Sequence, residues 1–359
     1  MATKVALLTA KPNTGGVDPS GHKMWVGEKR YPIGISYLYA VLKQHGIQAD
    51  IFDFYSGMAS WPQNDFEDYS FCGLYTTSVC KDHIMWILDH CKANVLAVGG
   101  PYASLNPEDF KSKTDIVCQG EAERDIVNFV QPNFVGGVCK TARLTSEELD
   151  MLPRFPWELY VDKSYDWTSF FDKKRKYLTF NTSRGCSYAC TFCDVKRIMG
   201  RKYSYMSAER IFDDIRYCNT TFGTNAILFR EDFFALHHGR IEELCKKIID
   251  SKIDLKFVCE LRADVPLTIL RTLKQAGLDG AYIGAEAGSQ RMLDIFNKQL
   301  KVEQIYKFGE QCKMLGIKMA LSFIRKHPEE TQHDINLRKK MIKTINPERV
   351  WVNTFRENI

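Results

Sequence analysis

The sequence predicts an α/β protein with two parallel-sheet domains, a doubly wound domain followed by a partial β/α barrel of six units. Short β-rich segments alternate with helical patterns over the first 130 residues, and the same alternation runs from residue 177 to the end. Such alternation is typical of parallel sheets that helices cover on both faces. Between the two stretches the periodicity fades. We therefore predict an N-terminal domain over 1–135, a linker over 136–176 and a barrel over 177–359.

Hydrophobic patterning places the elements of the N-terminal domain. The predicted strands cover 4–9, 48–54, 71–75, 95–98 and 115–118. Helices are predicted at about 35–45 and 79–91, and a third ends near Val130. Gly46 stops the first helix, and Gly99-Gly100-Pro101 forms a tight turn after the fourth strand.

The later segments follow the same rules. Residues 136–176 hold prolines, paired glycines and a cluster of aromatics, and a loop of that length inside a compact domain would be unusual, so we interpret them as an inter-domain connection. Barrel strands are predicted near 177–182, 226–230, 255–260, 280–284, 317–323 and 349–353. Helices begin near Ser207, His238, Pro266, Ser289 or Lys301, and Thr331. Six units are fewer than the eight of a closed barrel, which predicts a laterally open one.

Composition favours a cytoplasmic protein with reduced thiols. No segment approaches the roughly 20 apolar residues of a membrane span, and the first residues lack the features of a signal peptide. Disulfide frameworks suit small secreted domains, so twelve cysteines in 359 residues indicate thiols that stay reduced. The net charge of +5 is mild and the basic run at 173–176 stands by itself, which argues against nucleic acid as a partner.

Three cysteines form the sharpest local feature. Cys186, Cys190 and Cys193 follow the first barrel strand, at the face that carries active sites in β/α barrels. Thiolates select iron–sulfur clusters, zinc or copper(I). Structural zinc sites and electron-transfer [4Fe–4S] clusters normally have four protein ligands. Three cysteines therefore predict a cluster with one open iron; a zinc site completed from elsewhere, or thiols without metal, is the alternative.

The spacing Cys186-x3-Cys190-x2-Cys193, with Phe192 before the last cysteine, resembles the cluster-binding loop of the radical S-adenosylmethionine (radical SAM) superfamily. The resemblance implies a partial (β/α)6 barrel, and a [4Fe–4S] cluster whose free iron is chelated by the amino and carboxylate groups of SAM. An electron from the cluster then breaks the sulfur–C5′ bond and gives a 5′-deoxyadenosyl radical. A reducing partner such as flavodoxin or ferredoxin is implied, and the protein's task is to position the cofactors.

Segments at later strand ends extend the resemblance. Residues 226–233, 259–264 and 282–289 resemble the second, third and fourth strands of the superfamily, the last with a Gly-x-Glu segment beside SAM. The residues that this assigns to SAM are Phe192, Arg262, Gly284, Glu286 and Ser289. A Glu286–Arg262 pair that merely ties adjacent strand ends is the alternative. No residue is assigned to the catalytic step itself.

Turns of the N-terminal half resemble the Rossmann-like domain of the cobalamin-binding branch. The matching segments are 31–35, 98–104 and 119–123, whose glycines permit tight turns at the edge where doubly wound sheets bind ligands. An Asp-x-His-x-x-Gly motif, which supplies a histidine to cobalt in many such domains, is absent, and the neighbours of His22 do not fit it. The sequence therefore leaves open whether cobalamin binds as a third cofactor.

The reaction is left open by the sequence. With cobalamin, the resemblance implies methyl transfer to an unactivated carbon or phosphorus; without it, a hydrogen-abstraction rearrangement, oxidation or ring formation. Bulky cations at 325–327 replace glycines of the family pattern. They are expected either to reshape the SAM or substrate side of the site or to contact an anionic substrate. His327 is a candidate proton donor.

Two other functions compete with this interpretation. The second hypothesis is a non-catalytic zinc or iron–sulfur module, and the third is a methylthiotransferase-like enzyme. The short C-terminus predicts that another segment or a partner covers the barrel mouth. The substrate is not identified.

Overall fold

A computed structural model describes residues 3–13, 30–166, 168–169 and 171–355. The chain divides into two compact units, Met1–Asp166 and Trp167–Ile359. Within the described ranges, none of the helices has the length and hydropathy that a membrane span requires.

A parallel sheet of six strands forms the centre of the first unit. Its strands are β1 (Lys4–Thr9), β2 (Gln48–Asp53), β3 (Phe71–Tyr75), β4 (Leu96–Gly99), β5 (Ile116–Gln119) and β6 (Gly137–Lys140). Their order is β2-β1-β3-β4-β5-β6, and neighbouring strands pair in parallel. The first five strands thus have the doubly wound order 2-1-3-4-5, in which ligands bind where the order reverses, between β1 and β3.

Among the described residues of this unit, five helices accompany the sheet. They are α1 (Ile33–Gln44), α2 (Lys81–His90), α3 (Pro101–Leu105), α4 (Ile126–Phe129) and α5 (Ser146–Met151). Short 3-10 turns lie at Ser78–Cys80, Pro107–Asp109 and Trp157–Leu159. The five strands expected from the sequence all form, within about two residues of their expected ends.

The turn after β4 can be made only with glycine. Gly100 has a φ of +93°, and a Cβ there would lie 2.8 Å from the Tyr75 ring and 2.9 Å from the carbonyl oxygen of Thr76. The Thr76 hydroxyl donates to the Gly99 carbonyl (2.8 Å) and accepts from the Ala103 amide (2.9 Å). The ends of β3 and β4 are therefore joined by a fixed turn at the ligand-binding edge of the sheet.

The second unit is an open barrel. Its strands are β7 (Leu178–Phe180), β8 (Ser183–Arg184), β9 (Ser204–Tyr205), β10 (Ala226–Phe229), β11 (Lys256–Leu261), β12 (Leu278–Glu286), β13 (Lys318–Arg325) and β14 (Arg349–Thr354). Six of them form a parallel sheet in the order β14-β13-β12-β11-β10-β7, and β8 pairs with β9 in antiparallel fashion. In the part of the chain that the structure describes, β7 and β14 do not pair with each other, so the predicted α/β fold with a partial barrel is confirmed.

The described part of this unit holds seven helices. They are α6 (Val195–Met199), α7 (Ala208–Phe222), α8 (His238–Ser251), α9 (Leu267–Gln275), α10 (Gln290–Ile295), α11 (Val302–Leu315) and α12 (Gln332–Ile345). The hydroxyls of Ser207, Ser289 and Thr331 cap α7, α10 and α12, which is why these helices begin where the sequence suggests. Gly223 and Gly316 end α7 and α11 in the left-handed conformation.

The segment expected to be a linker, 136–176, begins with regular structure. It contributes β6 and α5, whose first turn is closed by a capping box at Thr145. Its aromatics pack inside the first unit: the Tyr160 hydroxyl lies 2.6 Å from that of Ser36, and the Tyr165 hydroxyl donates to Asp53 (2.9 Å). The first unit therefore extends to Asp166. A four-residue strand at a half-exposed sheet edge has no alternation from which the sequence would reveal it. Two of the aromatics, Trp167 and Phe170, lie outside the described residues.

Candidate active site

The three cysteines lie in one loop at the carboxyl end of β7. Strand β8 leads into this loop, hereafter the cluster loop (residues 185–194), and α6 follows it. Cys190 is buried, whereas Cys186 and Cys193 are half-buried. All twelve cysteines of the chain are free thiols. Thiols that line one accessible loop are available as metal ligands.

The electrostatics of the loop keep its outer cysteines protonated in the absence of a metal. Burial raises the pKa of the Cys186 thiol, and it raises the pKa of Cys193 to about 11. A backbone hydrogen bond from Tyr188 lowers the pKa of Cys186, and one from Val195 lowers the pKa of Cys193. The carboxylate of Asp232 raises both pKa values. Since the thiolate is the form that binds metal, loading a cluster must release these protons.

The donor set is one that iron–sulfur clusters use. Three soft thiol ligands from one short loop are the donors that iron–sulfur clusters use. Among the residues described, no three Cys, His, Asp or Glu side chains are placed to hold one metal ion. A cubane spreads its cysteines over three separate irons, so its ligands need not converge on one point. The loop therefore fits the predicted group.

The cluster loop is fastened to the segment 296–299 between α10 and α11, hereafter the anchor segment. The Thr191 amide donates to the Phe296 carbonyl (2.9 Å), and the Asn297 side-chain amide donates to the Ala189 carbonyl (3.0 Å). The Phe192 ring packs edge-on against Phe296, with 5.4 Å between ring centroids. These contacts fix the backbone on both sides of Cys190.

Arg262 lies against the same loop. Its guanidinium is 3.6 Å from the centroid of the Tyr188 ring, and it donates to the Asp264 carboxylate (3.3 Å) and to the Lys298 carbonyl (2.9 Å). The side chain is buried. These contacts give Arg262 a positioning role between cluster loop and anchor segment. Its contact with SAM stays a prediction.

Glu286 forms a buried ion pair with Lys298 rather than with Arg262. Their side chains meet at 2.9 Å, and both residues are less than a tenth exposed. Glu286 has a φ of +62°, next to a register irregularity between β12 and β13. A Cβ at Gly284 would lie 2.3 Å from the Glu286 carboxylate and 2.9 Å from the Lys298 ammonium. The glycine is therefore what leaves room for the pair.

The sequence did not single out Lys298. Its ammonium lies 5.9 Å from the centroid of the Phe192 ring, so the ion pair adjoins the cluster loop. Lys298 stands between Asn297 and Gln299, both of which have positive φ. An irregular turn of this kind has no periodic pattern, and no sequence signal marks which way its lysine points.

Ser289 already has two partners. Its hydroxyl donates to Asp334 (2.7 Å) and accepts from the Met292 amide (3.4 Å) at the start of α10. These bonds join α10 to α12. Its contact with SAM stays a prediction.

Glu231, which follows β10, is a buried carboxylate beneath the cluster loop. It accepts hydrogen bonds from the amide and hydroxyl of Thr182 and from the hydroxyl of Ser183, and the Arg240 guanidinium lies 3.7 Å away. Burial raises its pKa, against the influence of Arg240. This network ties the end of β7 to the end of β10, so Glu231 supports the loop.

The inner face of the barrel is open towards its carboxyl end. Strand register puts Glu260, Tyr282 and Trp351 on the same face as the buried Val258, since alternate residues share a face. All three are partly exposed, although the residues next to Glu260 and Tyr282 in their strands are buried. The rings of Tyr282 and Trp351 are 5.4 Å apart. This face offers aromatic surface to a bound molecule.

Glu260 supplies a neutral acid on that face. Burial raises its pKa to about 8, although the nearby Arg230 counteracts this. The group therefore carries a proton at neutral pH and can donate a hydrogen bond. Sequence patterning marked the segment around it but not this property, which depends on burial.

Arg325 and His327 pack at the ends of β13 and β14. Arg325 donates to the Thr354 hydroxyl (3.3 Å). The His327 ring packs edge-on against Phe296 and Phe355, at 5.4 and 4.5 Å, and accepts from the Glu329 amide. These contacts favour the interpretation that the bulky basic residues at 325–327 reshape the site. His22, the other histidine considered, lies outside the described residues.

Comparisons with known proteins agree with this geometry. The profile of the radical SAM superfamily matches residues 180–341. An uncharacterized methyltransferase of Pyrococcus horikoshii is 24% identical over 352 residues, which cover 91% of this chain and 76% of the relative. The cobalamin-dependent SAM radical enzyme OxsB, with aqua-cobalamin bound, superposes with a TM-score of 0.71 at 20% identity over 95% of this chain and 52% of OxsB.

A second solved structure resembles the chain over nearly its whole length. The radical SAM methyltransferase TsrM of Kitasatospora setae, with tryptophan and a SAM analogue bound, gives a TM-score of 0.72 at 14% identity over 98% of this chain and 73% of TsrM. At such low identities the two structures are evidence for the fold alone, and the matched regions include both units. Members of the matched superfamily use a [4Fe–4S] cluster and SAM, and they need a reductant. By its sequence profile over residues 180–341, its open barrel and its three-cysteine loop, the second unit belongs to the radical SAM superfamily.

Proposed function

We propose that this protein is a cobalamin-dependent radical SAM methyltransferase. The observation that carries the proposal is one chain holding a doubly wound unit of order 2-1-3-4-5 and an open barrel with a three-cysteine loop. The Pyrococcus relative, named a methyltransferase, aligns over both units. TsrM, also named a methyltransferase, is known with cobalamin and a [4Fe–4S] cluster bound.

The barrel supplies the SAM side of the site. When bound, the cluster and SAM supply a 5′-deoxyadenosyl radical and cobalamin supplies a methyl carrier. Cys186, Cys190 and Cys193 hold the cluster, and the contacts of the anchor segment keep their loop in place. Glu286 offers a carboxylate to the SAM ammonium or ribose hydroxyls, with Lys298 compensating its charge. The protonated Glu260 can donate a hydrogen bond within the lumen.

The first unit offers an edge that suits a large cofactor. Glycines stand where its strands end or its helices begin, at positions 34, 99, 100 and 120. Among the described residues, a Cβ at Gly34 would meet only the Tyr75 ring, at 3.8 Å. The glycines beside the switch point therefore leave room for a ligand to approach the backbone closely.

We further propose a cytoplasmic location and a flavodoxin or ferredoxin as the reducing partner. Twelve free thiols suit a reducing compartment. A radical SAM enzyme needs low-potential electrons, and small flavin or iron–sulfur proteins carry these one at a time.

The test uses protein purified without oxygen from cells supplied with cobalamin. We expect iron–sulfur and corrin absorption bands together, and both 5′-deoxyadenosine and S-adenosylhomocysteine after incubation with SAM and a reductant. Triple Cys→Ala substitution at 186, 190 and 193 should abolish the first product. Deoxyadenosine without corrin or S-adenosylhomocysteine would favour hydrogen-abstraction chemistry instead. One zinc per chain with no iron or sulfide would favour the non-catalytic module.

A further inference from the structure

The outer side of the cluster loop adjoins a cationic surface. Lys196, Arg197, Arg201 and Lys202 stand within seven residues, with no acidic residue among them. The carboxylate of Asp194, just before them, is bonded to Arg197 at 3.0 Å. Arg197, Arg201 and Lys202 are exposed and Lys196 is partly exposed. We call residues 195–202 the cationic projection.

The projection is fixed to the cluster loop at both ends. Its start, α6, begins two residues after Cys193. Just beyond its end, β9 pairs with β8, the strand that leads into the loop. Between these ends, the Arg201 guanidinium donates to the carbonyl of Ser187, which lies between the first two cysteines (3.1 Å). Anything bound to the projection is therefore held close to the cluster ligands.

The projection mixes charge with apolar surface. Gly200 turns it with a φ of +64°, and, apart from its two chain neighbours, none of the described residues has an atom within 4 Å of a Cβ built there. Ile198 and Met199 are partly exposed between the cations. Small-molecule sites are concave, whereas an apolar centre within a charged rim is typical of protein interfaces. This exposed mixture of charged and apolar side chains therefore suits a macromolecule better than a small anionic substrate.

We propose that the cationic projection is the docking surface for a small acidic protein that delivers single electrons to the cluster. The inference rests on the proposed function, because it presumes a cluster in the loop. The donor's reduced centre loses one electron and the oxidised cluster gains it; no bond forms or breaks and no proton moves. Opposite surface charges accelerate such encounters by about tenfold or more at low salt.

The test compares two charge-reversal variants of the cluster-loaded full chain. K196E/R197E/K202E reverses the projection and leaves Arg201 in place on the loop. K339E/K340E/K343E makes the same change of charge on exposed lysines of α12. Reduced flavodoxin, an acidic protein, is mixed with each oxidised protein and bleaching of the cluster is followed. We expect the projection variant to react at least about tenfold more slowly at about 0.01 M ionic strength, and the difference to shrink at about 1 M.

A small uncharged reductant separates the possible failures. Photoreduced 5-deazariboflavin should reduce the wild type and both variants equally, since it needs no docking surface. Equal rates with flavodoxin for wild type and projection variant, or equal slowing in the α12 variant, would overturn the docking proposal. A wild-type protein that loads no cluster would instead contradict the proposed function.

Discussion

At the scale of residues, the site concentrates features that cost free energy. Glu286 combines a left-handed backbone conformation with a buried charge, and Lys298 buries a second charge beside it. Either feature is tolerated only where the surroundings enforce it. The Gly-x-Glu pattern was enough to predict Glu286 as a site residue. Its partner was not predictable, because the lysine reaches it from an irregular turn twelve residues later.

Removing one charge of this pair should destabilise the barrel. Lys298→Met leaves the Glu286 carboxylate buried without a partner, which costs about 3 kcal/mol of unfolding free energy. This loss of unfolding free energy is measured by urea unfolding monitored with circular dichroism. Adding Glu286→Gln should recover much of the loss, and Lys307→Met, on the exposed side of α11, should have little effect. If the Lys298→Met variant were as stable as the wild type, the ion pair would not be buried as described.

Glu260 should make stability depend on pH. Its pKa rises on folding from the usual 4.5 to about 8, so between these values the folded chain holds a proton that the unfolded chain has released. Its contribution to unfolding free energy is therefore favourable below pH 4.5 and falls as pH rises towards 8. Glu260→Gln keeps the shape and removes this titration. The difference in melting temperature between wild type and variant should change across that range; parallel curves would contradict the raised pKa.

The cysteines should divide sharply into ligands and core residues. Cys→Ala at 186, 190 or 193 should remove the brown absorbance and most of the bound iron and sulfide after anaerobic reconstitution. Cys245→Ala is the matched control, since Cys245 is buried in α8 and should only lose packing. If the Cys245 variant alone failed to take up iron, the ligand assignment would be wrong.

At the scale of elements, the strands that the sequence predicted are those with long buried runs. Every residue of β10 is buried, and β1 is buried from its second residue onwards. β6 was missed because only one of its edges is paired and none of its residues is buried. The anchor segment was missed for a related reason: its function depends on contacts with a loop about a hundred residues away. Periodicity reports local burial, and it carries no information on such distant contacts.

The irregular end of β12 should be sensitive to a single methyl group. Gly284→Ala would bring a Cβ within 2.3 Å of the Glu286 carboxylate, so the ion pair must shift. We expect SAM affinity of the cluster-loaded protein, measured by equilibrium dialysis, to fall about tenfold or more, as for loss of a charged hydrogen bond. Gly239→Ala in α8, where a Cβ has only ordinary contacts, is the control. Unchanged affinity in the Gly284 variant would place SAM away from Glu286.

At the scale of the whole molecule, most of what could be predicted from the sequence followed from the order of its strands and helices. Strand–helix alternation on either side of an aromatic-rich segment was enough to predict two units, the second of them an open barrel. The boundary at Asp166 could not be read, because the aromatics that pack into the first unit, such as Tyr160 and Tyr165, look the same in sequence as those of a linker. The lumen around Glu260 and Tyr282 could not be predicted either, because its shape arises only after folding.

The proposed chemistry depends on one iron of the cluster lacking a protein ligand. Mössbauer spectroscopy of the full chain reconstituted with 57Fe, recorded with and without SAM, tests this directly. We predict that one of four irons changes its signal when SAM is added while the other three stay as they were. Four irons that remain equivalent and do not respond to SAM would contradict the account.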